Sequence, residues 1–179
     1  SLTHPGSIST IVVPADHAWT AVEPQPYHLP EITTKRISDD TVQTAAQALR
    51  NANKSCLFLG GRALREEGLE QAGRIAAATG CRLISETFFA RQARGIGRVP
   101  TERLAYFGEA ATEQLVDLDA LVLVGVKSPV SFFAYPDKPS VLAPETATQT
   151  VLADAEMDVV DALRRLADIL DAPARPEVT

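Results

Sequence analysis

Two short runs constrain this chain more than anything else in it: SCLFL, Ser55 to Leu59, and DALVLV, Asp119 to Val124. Neither alternates polar with apolar residues, so neither suits a sheet with one wet face. A uniformly apolar run of this length is the mark of a central parallel strand covered on both sides by helices. The neighbouring segments supply those helices. Ser38 to Asn53 can be capped by Ser38 or Asp39, has acids in its first turn, and repeats Val42, Ala45, Ala46 and Leu49 at helical spacing. Arg65 to Thr79 carries Leu69, Ala72, Ile75, Ala76 and Thr79 along one stripe, with Gly80 placed to end it. Glu156 to Leu170 is amphipathic, with Val159, Val160, Leu163, Leu166, Ala167 and Leu170 on the buried face.

Cys81 to Ser85 reads as a further strand, Glu109 to Val116 as a further helix, and Ser140 to Leu142 and Thr150 to Leu152 as short strand candidates. Helices alternating with apolar strands over short connections imply βαβ units. The expected fold is therefore α/β: a doubly wound, Rossmann-like parallel sheet of five or six strands with helices on both faces. Phe88 to Gly108 mixes arginine, glycine and aromatics without a period. It is expected to be mostly loop, with one short helical turn around Thr101 to Leu104.

The first part of the chain differs in character. Ser7 to Pro14, SISTIVVP, is a β-branched run closed by proline and is expected to be a strand. Pro14 to Pro30 carries four prolines and reads as an extended linker with no helix or strand of its own, its Trp19 stapling it to a neighbouring surface. The expected organisation is a strand and Pro-rich linker from the end of a preceding domain over 1–37, a compact α/β domain over 38–171, and a tail over 172–179. A start at Ser1, without Met and a few residues before a strand, suggests a piece of a longer protein. A strand cut from its own sheet would need another partner, which suggests dimers through that segment.

Composition narrows the function classes. The net charge of -6 argues against a nucleic-acid partner, which calls for a basic face. No apolar run is long enough for a membrane span, and the N-terminus has no signal-peptide pattern. Cys56 and Cys81 suit buried hydrophobes in a reduced, cytoplasmic protein.

Ligands of open α/β sheets bind past the carboxyl ends of the strands. Gly60, Gly61 and Arg62, then Glu86, Thr87 and Phe88, then Gly125, Val126 and Lys127 fall on that edge. Gly60-Gly61 matches neither the dinucleotide fingerprint nor the P-loop. Two readings of the pair stand open: close backbone approach to a pyrophosphate, or a tight turn needing positive φ. Arg62 and Lys127 are of the type that meets phosphate, and equally of the type that is solvated. His4, His17 and His28 all precede residue 38 and form no metal-ligand set with cysteine or carboxylate. Asp16 and His17 are adjacent in an extended segment and point apart. With no histidine in the compact region to act as base, an NAD-dependent deacylase-type reading is disfavoured. No catalytic constellation is visible.

The order of segments carries a resemblance. IVVPADHAWT resembles the last strand and exit of the pyrimidine-binding domain of thiamine diphosphate-dependent enzymes. The helix, the LGGRA turn, the strand ending near SETF, the RGIGRVP loop, DALVLVGVK and SPVSFFAYPDKPS resemble the central domain of the same enzymes, most nearly acetolactate synthase large-subunit-like proteins. The resemblance implies an excised central domain with a structural and interdomain role. Thiamine diphosphate and magnesium would be held elsewhere in the parent, which would be a homodimer or tetramer acting on a 2-oxo acid such as pyruvate. The diphosphate-and-magnesium signature of that family opens with Gly-Asp-Gly, which this chain lacks. The neighbours implied are the pyrimidine-binding and diphosphate-binding domains.

The resemblance also implies an alternative, an FAD or adenine-nucleotide module without catalysis. Gly60 and Gly61 would then approach the phosphates, Gly125 and Lys127 would lie on the adjoining loop, and Asp154 would meet the adenosine end. Two departures weaken the FAD expectation. YFGEAA stands where FAD-binding members carry a Gly-Met-His-Gly type segment, and GVKSP stands where they carry Gly-Ala-Arg followed by Phe-Asp, with lysine for the planar arginine fork.

Overall fold

The computed structural model describes residues 2, 5–134 and 136–178. His4 lies outside the described residues. The elements run α1 (Ala15–Trp19), α2 (Asp39–Asn51), β1 (Ser55–Leu59), a 3-10 turn (Gly61–Leu64), α3 (Glu66–Thr79), β2 (Arg82–Ser85), β3 (Glu102–Arg103), α4 (Gly108–Leu115), β4 (Ala120–Val124), β5 (Thr148–Ala153) and α5 (Val159–Ile169).

The strands form one parallel sheet of order β3-β2-β1-β4-β5. The first strand is therefore central, and the chain winds from it in both directions. Every residue of β1 and β4 is buried, as their uniform composition requires. Alternate residues of these strands feed two separate cores. Leu57, Leu59, Val122 and Val124 pack with the apolar faces of α2, α3 and α5. Cys56, Phe58, Leu121 and Leu123 pack on the opposite face with Ala111 and Leu115 of α4 and with Leu142 and Ala143. The sheet is thus sandwiched between layers, with burial of large apolar side chains on both faces as its main source of stability. Burial pushes the Cys56 thiol up to about 12, and a fainter repulsion from Cys81 works in the same direction. Both cysteines are free, buried thiols.

Local chemistry sets the ends of the helices. Ser38 caps α2, its hydroxyl accepting from the Thr41 N–H at 3.2 Å. Asp158 caps α5 by accepting from the Asp161 N–H at 3.0 Å, so this helix starts three residues later than its apolar period suggests. Gly80 ends α3 at φ 72°, a left-handed conformation that favours glycine. Asp119, just before β4, accepts from the backbone N–H groups of Asn53 and Lys54 at 2.9 and 3.0 Å and ties the entry of β1 to its neighbour.

Four expectations are corrected. Among the described residues Ser7 to Pro14 forms no strand and joins no sheet ladder: Ile8, Ile11 and Val12 are 97%, 83% and 88% exposed. The linker does contain a helix, the short α1, and its Trp19 stands 83% exposed rather than stapled down. The turn expected around Thr101 to Leu104 is instead the edge strand β3. Ser140 to Leu142 contributes only an isolated antiparallel bridge, Val130 to Val141, while Thr150 to Leu152 lies inside the longer β5.

Side chains, not pattern, hold β3. Arg82 of β2 donates to both carboxylate oxygens of Glu102, at 3.0 and 2.5 Å, and to the Gln114 carbonyl oxygen at 2.8 Å. Gln114 in turn donates to Glu102 and to the Arg103 carbonyl oxygen and accepts from the Ala105 N–H. The Arg82 hydrogen bonds hold the Glu102 carboxyl below its ordinary range. A lowered native value means that the ionised acid stabilises the fold above the ordinary 4.5, and that this contribution is lost as the pH falls through the native value. Glu102→Gln is therefore expected to melt below the parent protein at neutral pH, with the gap closing on acidification. Melting curves across the acid range check this; a gap that persists in acid would contradict it.

Candidate functional site

In a sheet of this order the strand sequence reverses between β1 and β4, and the crevice for a ligand opens beyond their carboxyl ends. A cleft of about 600 Å³ lies on that edge, lined among others by Glu86, Phe88, Gly125, Lys127, Phe132 and Asp154. The structure thus brings Gly125, Lys127 and Asp154 to one cleft. Gly60 and Gly61 sit beside it, behind Glu86 and Val126, rather than in its lining.

The two glycine turns close on one another. A Cβ on Gly60 would stand 2.7 Å from Val126 Cβ, 2.6 Å from Glu86 Oε1 and 3.0 Å from the Gly125 carbonyl oxygen. A Cβ on Gly125 would stand 2.8 Å from the Gly60 carbonyl oxygen, and Gly125 also holds φ 68°. Glycine is required at Gly60 by space alone, since its φ of -144° is open to any residue, and at Gly125 by both space and conformation. Gly61 has φ 51° and opens the 3-10 turn.

Their amide hydrogens are engaged inside the protein. The Gly60 N–H donates to the Val124 carbonyl oxygen at 3.0 Å and the Gly125 N–H to that of Ala153 at 2.8 Å. The Gly61 N–H donates to Glu86 Oε1 at 3.3 Å. A carboxylate therefore sits where the resemblance would put a phosphate. Glu86 is half-buried, and this burial pushes its carboxyl above the usual range while the Gly61 hydrogen bond pulls in the opposite direction. The charged groups of the cleft are predominantly acidic, Glu86, Asp154 and Glu156 against Lys127, and Lys127, Asp154 and Glu156 are exposed. These residues do not fit a dinucleotide diphosphate: the three glycine donors have internal partners, and the nearest side-chain charge has the wrong sign.

Two features of the edge escaped sequence reasoning. Phe88, Tyr106, Phe107, Phe132 and Phe133 form a cluster of partly exposed rings, with Phe88 and Phe132 centroids 4.4 Å apart and Tyr106 within 5.1 to 6.1 Å of the other four. Its signal was three aromatic doublets between residues 88 and 133, FF, YF and FF, that no local period links. The second is the fastening of Thr87, which is buried. Its hydroxyl donates to the Leu104 carbonyl oxygen at 3.1 Å, and its own carbonyl accepts from the Arg103 guanidinium. That pair of bonds fixes where Glu86 and Phe88 emerge. Arg62 lies in the 3-10 turn and is exposed. Among the described residues no three of His, Cys, Asp and Glu converge to hold a metal ion, and no helix is long and apolar enough to cross a membrane.

Gly60→Ala is expected to destabilise the chain by about 1–3 kcal/mol, the usual result of forcing an extra carbon into packed surroundings. The Glu86 carboxylate can swing aside, but Val126 Cβ and the Gly125 backbone cannot. Urea denaturation measures the difference, and an unchanged midpoint would show that the two turns are not in contact.

No protein-family model matches the chain. A Mycobacterium tuberculosis protein provisionally named acetolactate synthase large subunit IlvX is 42% identical over 161 residues, covering 90% of this chain and 31% of that protein. The thiamine diphosphate-dependent 4-hydroxybenzoylformate decarboxylase of Rhodococcus jostii superposes with a TM-score of 0.62 at 16% identity, over 84% of this chain and 31% of that one. The benzoylformate decarboxylase of Polynucleobacter necessarius gives 0.60 at 18% identity, over 89% and 32%. At such identities these two structures speak for the fold alone. The chain spans about a third of the length of each of these three proteins. The chain is thus similar over nearly its whole length to about a third of a protein named as an acetolactate synthase large subunit, and it shares the fold of a domain-sized part of thiamine diphosphate-dependent decarboxylases.

Proposed function

We propose that this chain is the central domain of an acetolactate synthase-like enzyme, where it serves as a structural and interdomain module and holds no catalytic group of its own. The observation that carries the reading is the sequence match, which runs over nearly the whole chain yet takes up a third of its relative. On this reading the parent's thiamine diphosphate and magnesium lie in other domains, and its chemistry is a transferase reaction on a 2-oxo acid such as pyruvate. Residues 1–37 would be the exit from a pyrimidine-binding domain, 38–171 the central domain and 172–179 a tail toward a diphosphate-binding domain.

Exposed apolar surface supports the interdomain role. Ile8, Ile11, Val12 and Val13 are exposed, and so are the aromatic rings at the carboxyl edge of the sheet. Patches of that kind mark surfaces covered by a partner. Neighbouring domains of the parent, or its second subunit in a homodimer or tetramer, are the partners this reading supplies. The free thiols and the acidic net charge suit a cytoplasmic protein with no nucleic-acid partner. The second reading, an adenine-nucleotide or FAD module without catalysis, has the cleft beside Gly125, Lys127 and Asp154 in its favour and the internally bonded glycine N–H groups and the Glu86 carboxylate against it.

The purified chain, given pyruvate, thiamine diphosphate and magnesium, is expected to release no carbon dioxide and form no acetolactate above the protein-free control. Measurable turnover that survives repurification would overturn the reading, because it would require a cofactor site within these residues.

A further inference from the structure

We propose that Glu86 is a built-in anion that closes this crevice to dinucleotides: its carboxylate takes the Gly61 N–H and puts negative charge where a diphosphate would have to lie. The inference rests on the geometry of the crevice and not on the parent's chemistry, so it can fail while the reading of the chain as a central domain stands, and the reverse.

Three observations converge. The first is the direct bond, Gly61 N–H to Glu86 Oε1 at 3.3 Å. A glycine turn after the first strand of a doubly wound sheet is an anion site because its N–H groups and the following helix end carry partial positive charge. Here that role is filled from within the chain. The second is the closure of the crevice by backbone. The Gly60 and Gly125 turns lie so close that neither admits a Cβ, and both their N–H groups are bonded to strand carbonyls. A phosphate would have to break these bonds or remain unsatisfied.

The third is the charge around the path a diphosphate would follow. Asp154 and Glu156 line the same cleft as Glu86, and Glu66 and Glu67 occupy the first turn of α3, where their charge already answers the helix end. Lys127 faces these acids as the basic residue of the cleft lining, as a point charge without the paired donors of arginine. Like charges brought together in a partly desolvated site repel, which lowers the affinity for a diphosphate. Glu86 is therefore a specificity-determining residue. The position is fixed by Thr87, whose buried hydroxyl and carbonyl anchor the next residue to β3 and the segment after it, so the carboxylate is held to the turn from its own backbone.

The test is titration calorimetry with ADP and with FAD on the wild-type chain, Glu86→Ala, Glu86→Gln and, as a control for net charge, Glu113→Gln on α4. Circular dichroism establishes that each variant is folded. Wild type and Glu113→Gln are expected to give no binding heat. Glu86→Ala is expected to bind ADP at least about tenfold more tightly than wild type, as removal of a repulsive charge predicts. Should the alanine variant unfold, Glu86→Gln decides, since it keeps the hydrogen bond to Gly61 and removes only the charge. The proposal is overturned if wild type binds either nucleotide as tightly as the Glu86 variants, or if a folded Glu86 variant is as indifferent to both as wild type.

Discussion

Everything in this chain is arranged around β1, a five-residue strand hydrogen-bonded along both edges and buried on both faces. A strand in that position leaves no edge for water and no face for polar side chains, so SCLFL has nowhere else to go. Because it comes first in the sheet yet lies at its centre, the chain has to run outward to β2 and β3 and then return to lay β4 and β5 on the other side. That reversal sets the two glycine turns against each other. The contact between Gly60 and Gly125 is thus a consequence of topology, and the need for glycine there follows from the contact.

How well the sequence foretold each part follows from the kind of force that holds it. β1, β4, α2, α3 and α5 are held by apolar burial, which writes itself into composition and spacing, and each was legible to within a few residues. β3 was not legible, because Glu102 and Arg103 carry no strand pattern and are fixed by a polar network reaching from β2 to α4. SISTIVVP failed in the opposite sense: the residues favour a strand, but strand propensity is realised only beside a neighbouring strand, and the described sheet offers this segment no place. At the candidate site, the edge positions of Gly60, Gly125 and Lys127 could be read from strand ends alone, while Asp154 entered only through the resemblance. The role of Glu86 could not, since its bond to Gly61 joins residues 25 apart and depends on the register of β2 against β1.

The same edge of the sheet shows how little this version of a nucleotide-holding fold offers a nucleotide. Its anion-binding turn is satisfied internally, its cleft is lined mainly by acids, and its aromatic rings face outward in a group. Such a surface offers area and shape to an adjoining protein domain and little to a phosphate.

The claim beneath all of this is that the crevice between β1 and β4 is closed by the protein's own hydrogen bonds. Amide hydrogen exchange at Gly60 and Gly125, followed residue by residue in the isolated chain, measures that directly. Both amides are expected to exchange as slowly as those of β1 and β4: Gly60 continues the ladder of β1 on β4, and Gly125 that of β4 on β5. Exchange as fast as that of Gly95 and Gly97, whose surroundings are open, would show the crevice to be open and would contradict the account.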